Sequence, residues 1–369
     1  MKIGIPREIM NQEHRVSINP AGVTTLVHEG HEVYIEKGAG VDSGILDKEY
    51  EDEGAIICDV DKVWECDMVI KVKQPLKEEF KYFREGLIIY AYFHLAADLE
   101  LAQELLDKKV TAIAYETIGT HGRLPLLMPM SQVAGRMATI LGAQYLQKQN
   151  GGSGVLLGGV PGVERGTVTI IGGGNVGQNA TKMAIGLGAK VILMGRNPEK
   201  LGALDDLFGL DVQTLVSNKK NIAEAVAMSD MVIGAVLLPG GAKAPTLVTR
   251  EMVKSMKPGS VIVDVAVDQG GIFETIDRVT THSDPVYVEE GIIHYAVANI
   301  PGAVPHTSTH ALTNSTIRYA IKIASGDFKK IIEKDEDLRN GFNTFKGKMT
   351  AKQVAKDLGL EYTDIKELV

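Results

Sequence analysis

The sequence predicts an α/β protein of two doubly wound, Rossmann-type domains joined by long helices. Three observations carry this. At 369 residues the chain is long enough for about two domains. Short apolar stretches of strand type alternate with helical patterns along much of it, the rhythm of a parallel sheet. Residues 167–180 read TVTIIGGGNVGQNA: a short strand, then Gly172, Gly174 and Gly177 in the G-x-G-x-x-G spacing, then a helix.

The elements follow in order. Residues 2–6 read as a strand. Asn19 and Pro20 open a helix as cap and first-turn proline, and Gly30 closes it. Residues 33–35, 55–58, 68–72, 87–93 and 111–115 are further strands, with helical stretches such as 98–108 between several of them. A proline-free helical pattern fills 131–149, and a glycine-rich connection covers 150–166. After the glycine motif, 190–194, 212–216, 231–236 and 261–265 read as strands, and 286–288 with 293–297 as a hairpin around Glu290 and Gly291. From Thr307 the pattern turns helical and stays largely so to Val369. These last helices are expected to return to the first domain, because the second sheet has already ended. The expected division is therefore 1–128 with 305–369, and 129–304.

Each glycine of the motif has a physical task. The first permits a tight turn, the second lets a pyrophosphate approach the backbone, and the third lets helix and strand pack closely. The helix N-terminus then offers free N–H groups and partial positive charge. Glycine-rich turns often only connect a strand to a helix, but with the strand before it and the helix after it the motif points to a dinucleotide.

Composition narrows the classes. A net charge of −8 and a pI near 5.7 argue against nucleic acid as the main partner. The start at Met1 lacks a secretory pattern, so Cys58 and Cys66 are expected to be free thiols in a reducing cytoplasm. No apolar run approaches the roughly 20 residues of a membrane helix.

Polar groups stand where strands should end. Arg15 lies in the loop NQEHRVS, Lys71 and Lys73 alternate with apolar residues in IKVKQP, and His94 follows an apolar strand. Ligands of open parallel sheets lie beyond the carboxyl ends of strands. Arginine there suits a carboxylate, lysine polarises an oxygen, and histidine exchanges a proton. In VIVDVAVDQGG, Asp264 falls inside the apolar run while Asp268 stands beyond it, so Asp268 is the catalytic candidate. Ser131 and Asn299 are candidates for reaching a cofactor. His306 and His310 have the spacing of a metal pair but lack a third ligand, so no metal site is assigned. His14, His28, His31 and His121 read as surface.

At this point the segments GIPRE, NPAGV, KVKQP, FHLAA, AYET, LPLLMPMSQVAGR, GGVPGV, DVAVDQGG and TSTHALTNSTIRYA resemble the alanine dehydrogenase family over essentially the whole chain. The resemblance implies reversible oxidative deamination of L-alanine to pyruvate and ammonium with a nicotinamide cofactor. It implies a cytoplasmic homohexamer and a substrate domain split between the N-terminal part and the C-terminal helices. By motif, Arg15 and Lys73 match substrate-binding residues, and His94 and Asp268 match catalytic ones. Cofactor contacts are implied at Ser131, Gly172, Gly174, Asn175, Val176, Gly177, Lys200, Ser217, Val236, Leu237, Val265, Ala266, Val267, Asp268, Val297, Ala298, Asn299 and Ile300. One departure stands out. The family usually has an acidic residue at the end of the second Rossmann strand, holding the adenosine ribose. Here Gly195 stands there, followed by Arg196. The cofactor is therefore expected to be NAD(H) and/or NADP(H), with Gly195 and Arg196 favouring NADP(H). An arginine that follows DQGG in the family is also displaced: Asp277 holds its place and Arg278 comes next. A second reading is the soluble nucleotide-binding part of a proton-translocating transhydrogenase, and a third is a nucleotide-sensing module without turnover. The set Arg15, Lys73, His94 and Asp268 counts against both.

Overall fold

The computed structural model describes residues 1–237 and 244–369. These fall into two compact units, Met1–Met130 with Val304–Val369, and Ser131–Ala303.

The first unit opens with β1 (Lys2–Ile5), β2 (Glu32–Glu36), β3 (Ile56–Cys58), β4 (Met68–Ile70), β5 (Ile88–Ala91) and β6 (Thr111–Ala114). All six pair in parallel. Strands β4, β5 and β6 are buried throughout, as strands covered on both faces must be. The helix after β1, Pro20–His28, begins where the sequence placed it. Asn19 is its cap and accepts the Gly22 N–H at 2.9 Å, and Gly30 just beyond it adopts φ +83°.

The long helix runs Met128–Tyr145, starting three residues before the expected pattern and ending four before it. Pro129 is no obstacle, because a first-turn proline gives up only an N–H that has no helical partner. At the other end the Leu146 and Gln147 carbonyls accept N–H groups from Gly154 and Gly152 instead of continuing the helix.

The second unit holds β7 (Thr167–Ile171), β8 (Lys190–Gly195), β9 (Val212–Val216), β10 (Met231–Gly234), β11 (Val261–Asp264), β12 (Val286–Glu289) and β13 (Ile292–Tyr295), in the order β12-β13-β11-β10-β7-β8-β9. Only β12 runs antiparallel, joined to β13 by Glu290 and Gly291, both at positive φ. Alternate residues serve opposite faces. Val168, Ile170, Met231, Ile233, Val261 and Val263 enter one core, and Ile171, Val232 and Ile262 the other.

The chain then re-enters the first unit through the helix Pro305–Ala324, followed by the short helices Phe328–Lys334 and Glu336–Arg339. The helical reading fails over the next stretch and resumes only with the helix Lys352–Leu358. Strands β14 (Phe342–Phe345) and β15 (Lys348–Met349) form a hairpin that adds antiparallel to β6. The signal was present but short. Phe342 and Phe345 are buried aromatics of strand type, and Lys346 and Gly347 supply two positive-φ turn positions. The finished first sheet has the order β15-β14-β6-β5-β4-β1-β2-β3.

Candidate functional site

Counting the parallel strands alone, both sheets have the order 3-2-1-4-5-6, which reverses direction beside the first strand. The carboxyl ends of β1 and β4, and of β7 and β10, flank this reversal, the place where open parallel sheets bind their ligands.

In the first unit the loop after β1 carries Glu8, Glu13 and Arg15. Arg15 lies in the loop after β1, as the sequence placed it, yet it is only 3% exposed. Glu13 grips it twice, from Nε to Oε1 and from Nη2 to Oε2, each at 2.6 Å, and Arg15 Nη1 meets Met130 Sδ at 3.2 Å. Burial opposes both charges, but the pairing outweighs it: Glu13 is held below the ordinary carboxylate range and Arg15 above the ordinary arginine value.

The loop after β4 carries both lysines, and they differ. The strand ends at Ile70, so period-2 alternation does not govern them. Lys71 is 1% exposed, with its Nζ 2.8 Å from Glu79 and 3.3 Å from Glu8. Burial would push its pKa down, but the two carboxylates hold it above the lysine norm. The same carboxylates bind the loop itself: Val72 N–H donates to Glu8 at 2.6 Å and Leu76 N–H to Glu79 at 2.8 Å. Lys73 is half-buried between these anchors, and its charge is felt at Glu13, His94 and Glu116.

His94 follows β5 in the left-handed region, φ +49°, which a residue with a Cβ adopts only when its surroundings insist. Here Glu116, after β6, insists. Its carboxylate accepts the His94 N–H at 2.6 Å and the Phe93 N–H at 3.0 Å. Surrounding protein and then the charges of Lys73 and Arg15 push the His94 pKa down to about 4. The side chain still exposes surface to solvent, so crowding and neighbouring cations disfavour the imidazolium rather than complete burial. The structure thus brings Arg15, Lys73 and His94 into one electrostatic neighbourhood. Glu8, Glu13, Glu79 and Glu116 were missed in the sequence. Glu8 and Glu13 lie within the GIPRE and NQEHR segments already singled out, but nothing local marked them as partners of Lys71 and Arg15.

In the second unit the glycine loop has the geometry of a phosphate cradle. Gly172 sits at φ +119°, and a Cβ there would lie 2.4 Å from the Ala235 carbonyl oxygen. A Cβ on Gly177 would lie 1.7 Å from the Gly172 oxygen, whereas one on Gly174 would meet nothing within 4 Å. Gly174 caps the helix Asn175–Gly186 with no side-chain hydrogen bond, so an anion can take the free N–H groups at that end. These residues fit a dinucleotide pyrophosphate. Asn175 is exposed and Val176 buried.

The other candidates of this unit also follow strands. Gly195 ends β8 and its carbonyl accepts the Ser217 N–H at 2.9 Å. Arg196 and Lys200 are exposed, and Asn197 between them caps the helix Pro198–Phe208. Val236 and Leu237 follow β10, and Val265, Ala266, Val267 and Asp268 follow β11. After β13 come Val297, Ala298, Asn299 and Ile300. Asn299 lies at φ +63°, and its carbonyl accepts from Gly302 N–H at 2.8 Å and His282 Nε2 at 3.1 Å. Ser131 is half-buried in the long helix. Arg278 pairs with Asp277 and stacks over Tyr287 at 4.2 Å.

Of the remaining histidines, His14, His28 and His121 are exposed and His31 is half-buried. His306 contacts the Ser43 carbonyl at 2.9 Å and His310 the Asn19 amide at 2.8 Å. No group of three metal-binding side chains occurs among the described residues, and none of their helices is long and apolar enough to cross a membrane.

The sequence matches the alanine dehydrogenase/PNT N-terminal domain over residues 4–134 and the corresponding C-terminal domain over residues 138–352. The chain belongs to the alanine dehydrogenase/PNT family. It is 59% identical to the alanine dehydrogenase of Bacillus subtilis (strain 168), over 98% of this chain and 96% of that one. A solved L-alanine dehydrogenase superimposes with a TM-score of 0.94 at 47% identity, covering 97% of this chain and 99% of the other. A transhydrogenase from Sinorhizobium meliloti superimposes with a TM-score of 0.81 at 26% identity, covering 95% and 98%. Within the family the chain is thus nearer to these dehydrogenases than to that transhydrogenase.

Proposed function

We propose that this chain is an L-alanine dehydrogenase, interconverting L-alanine with pyruvate and ammonium. The observation that carries the reading is His94, held at a left-handed position by Glu116 and influenced by the charges of Arg15 and Lys73. The nicotinamide cofactor supplies the hydride acceptor or donor. Arg15, fixed in plane by Glu13, takes the substrate carboxylate, and Lys73 polarises the oxo oxygen. A neutral His94 is ready to accept a proton as water adds during deamination. The substrate carboxylate cancels cationic charge around it, which raises its affinity for that proton. Asp268 handles water or ammonia at the imine and carbinolamine steps. In this reading Met1–Met130 with Val304–Val369 is the substrate domain and Ser131–Ala303 the dinucleotide domain. The same resemblance supports a homohexamer working in the cytoplasm, and sedimentation of the purified protein tests the assembly.

For the cofactor we propose substantial use of NADPH. Gly195 lacks the carboxylate that would repel a 2′-phosphate, and exposed Arg196 and Lys200 supply charge near that end of β8. A charge-assisted bond contributes about 1.5–3 kcal/mol, enough for one to two orders of magnitude in preference. Initial rates of 340 nm absorbance loss, with pyruvate and ammonium saturating, test the whole proposal. NADPH is expected to match or exceed NADH in kcat/KM. A hundredfold preference for NADH overturns the NADPH reading, and no rate with either overturns the enzyme reading. Gly195→Asp is expected to reverse the preference. Its Cβ would lie 3.1 Å from Leu201 Cδ2, a contact that Leu201 can relieve by a small shift.

A further inference from the structure

One buried acid at the carboxyl end of β11 has no part in the chemistry above. Asp264 is fully buried, a position a carboxylate holds only when donors saturate its oxygens. Its donors are main-chain groups of a single segment. Oδ1 accepts the Ala266 N–H at 2.8 Å, Oδ2 accepts the Ile272 N–H at 2.7 Å, and the Phe273 N–H bonds to it as well. Ala266 begins the segment 266–273 and Phe273 ends it. Between them Val267–Gln269 form one 3-10 turn, and Gly270 and Gly271 follow at φ +87° and +73°. The carboxylate therefore staples the entry of the loop to its exit, with Asp268 at the middle. Neighbouring positions carry no side chain that would displace it. A Cβ on Gly234 of β10 would lie 2.7 Å from Oδ1, and a Cβ on Gly271 would lie 2.7 Å from Oδ2. Burial, and to a lesser degree the charge of Asp268, push Asp264 up to about 6, so it is an ionised acceptor at pH 7 and above.

We propose that Asp264 is a positioning residue: it closes the 266–273 loop into a fixed ring and so sets where the Asp268 carboxylate stands. The functional half of this inference rests on the assignment of Asp268 to the reaction. A hydrogen bond to a backbone N–H fixes a main-chain atom, so the staple acts on the loop's path rather than on any one side chain. Replacing one carboxylate oxygen by an amide NH2 sets donor against donor and frees one end of the ring at nearly constant volume.

Asp264→Asn, Asp268→Asn and Gly271→Ala test this in the full chain. Gly271→Ala presses on Oδ2 while leaving the Asp264 carboxylate itself in place, and it keeps the test open if Asp264→Asn fails to fold. Two quantities are read: amide hydrogen exchange of peptides covering 266–273, and the split of kcat from KM for pyruvate, whose proposed site lies in the other unit. Asp264→Asn is expected to speed exchange in this loop by about tenfold or more while β7 and β10 keep their protection. It is expected to lower kcat by about tenfold or more with the pyruvate KM unchanged. Gly271→Ala should move both in the same direction. Asp268→Asn should lose turnover while the loop keeps its protection. Unchanged loop exchange in Asp264→Asn and Gly271→Ala overturns the staple, whatever the activities. A loosened loop with unaltered kcat overturns the positioning role. Full activity of Asp268→Asn instead removes Asp268 from the reaction, and loop exchange still decides the staple.

Discussion

In the first sheet the carboxyl ends of β1 and β4 carry buried ions, Arg15 with Glu13 and Lys71 with Glu8 and Glu79, and the end of β6 carries the half-buried Glu116 beneath His94. In the second sheet, with the same order of parallel strands, the ends of β7 and β8 present bare backbone instead: glycines at 172, 174, 177 and 195, and a helix end without a side-chain cap, while the buried acid at the end of β11, Asp264, is held by main-chain N–H groups. In the proposed reading one topology thus serves two recognition chemistries. A small carboxylate needs fixed charges, which must be neutralised within the protein until it arrives. A pyrophosphate needs room and N–H groups, which small residues provide.

The contrast breaks most visibly at Lys71. Lys71→Ala leaves Glu8 and Glu79 buried without their cation, and should lower unfolding stability by about 3–5 kcal/mol in urea titration. Exposed Lys48, which pairs with Asp52 at the surface, is the control, and Lys48→Ala should change stability by about 0.5 kcal/mol or less. Equal effects would mean that the buried cluster is no more demanding than a surface pair.

His94→Ala should lower kcat by about 10²-fold or more, with NADH affinity little changed, since His94 and the glycine loop lie in different units. Near-normal turnover removes His94 from the mechanism. Arg15→Lys keeps the charge but loses the fork, so the pyruvate KM should rise. An unchanged KM would assign carboxylate binding elsewhere.

In the second unit, Gly177→Ala should destabilise by about 1–3 kcal/mol, because its Cβ would overlap the Gly172 oxygen. Gly174→Ala has open space and should leave stability nearly unchanged while weakening dinucleotide binding by its bulk at the phosphate position. Isothermal titration with NADH and thermal unfolding separate the two. Equal destabilisation by both would show that the loop is merely a tight turn.

The smallest effect is one of sign with pH. His94 is pushed down to about 4, so below about 6.5 the unfolded chain binds a proton that the folded chain refuses, and this group withdraws stability as pH falls. Asp264 is pushed up to about 6, so its ionised form costs the folded state near neutrality, and that cost is relieved as pH falls through about 6. Histidine NMR, with His94→Ala for assignment, should find the His94 midpoint far below 6.5 and see it rise when pyruvate is added. A midpoint at the ordinary value would contradict the cationic setting.

The two halves also differ in how far the sequence could be read. The second unit was legible because its signals are local: a strand, three spaced glycines and a helix within fourteen residues, 167–180. In the first unit Arg15, Lys73 and His94 were marked by their place after strands, and the family resemblance gave them roles. Their supports could not be read. The Val72 N–H bond to Glu8 spans 64 positions and the His94 N–H bond to Glu116 spans 22. No periodicity links a buried acid to a loop so distant, because the link is made by strand order in the finished sheet. The β14–β15 hairpin escaped for a different reason. Two short strands behind a long run of helical pattern offer too few residues for alternation to stand out.

That hairpin also has a consequence for synthesis on the ribosome. Ser131–Ala303 is continuous and can fold as soon as it emerges, whereas β6 must wait with one edge unpaired until Phe342 and its neighbours arrive. The unit made first is therefore finished last. A released chain truncated after Ala303 should resist protease in its second unit while remaining open to cleavage around β6.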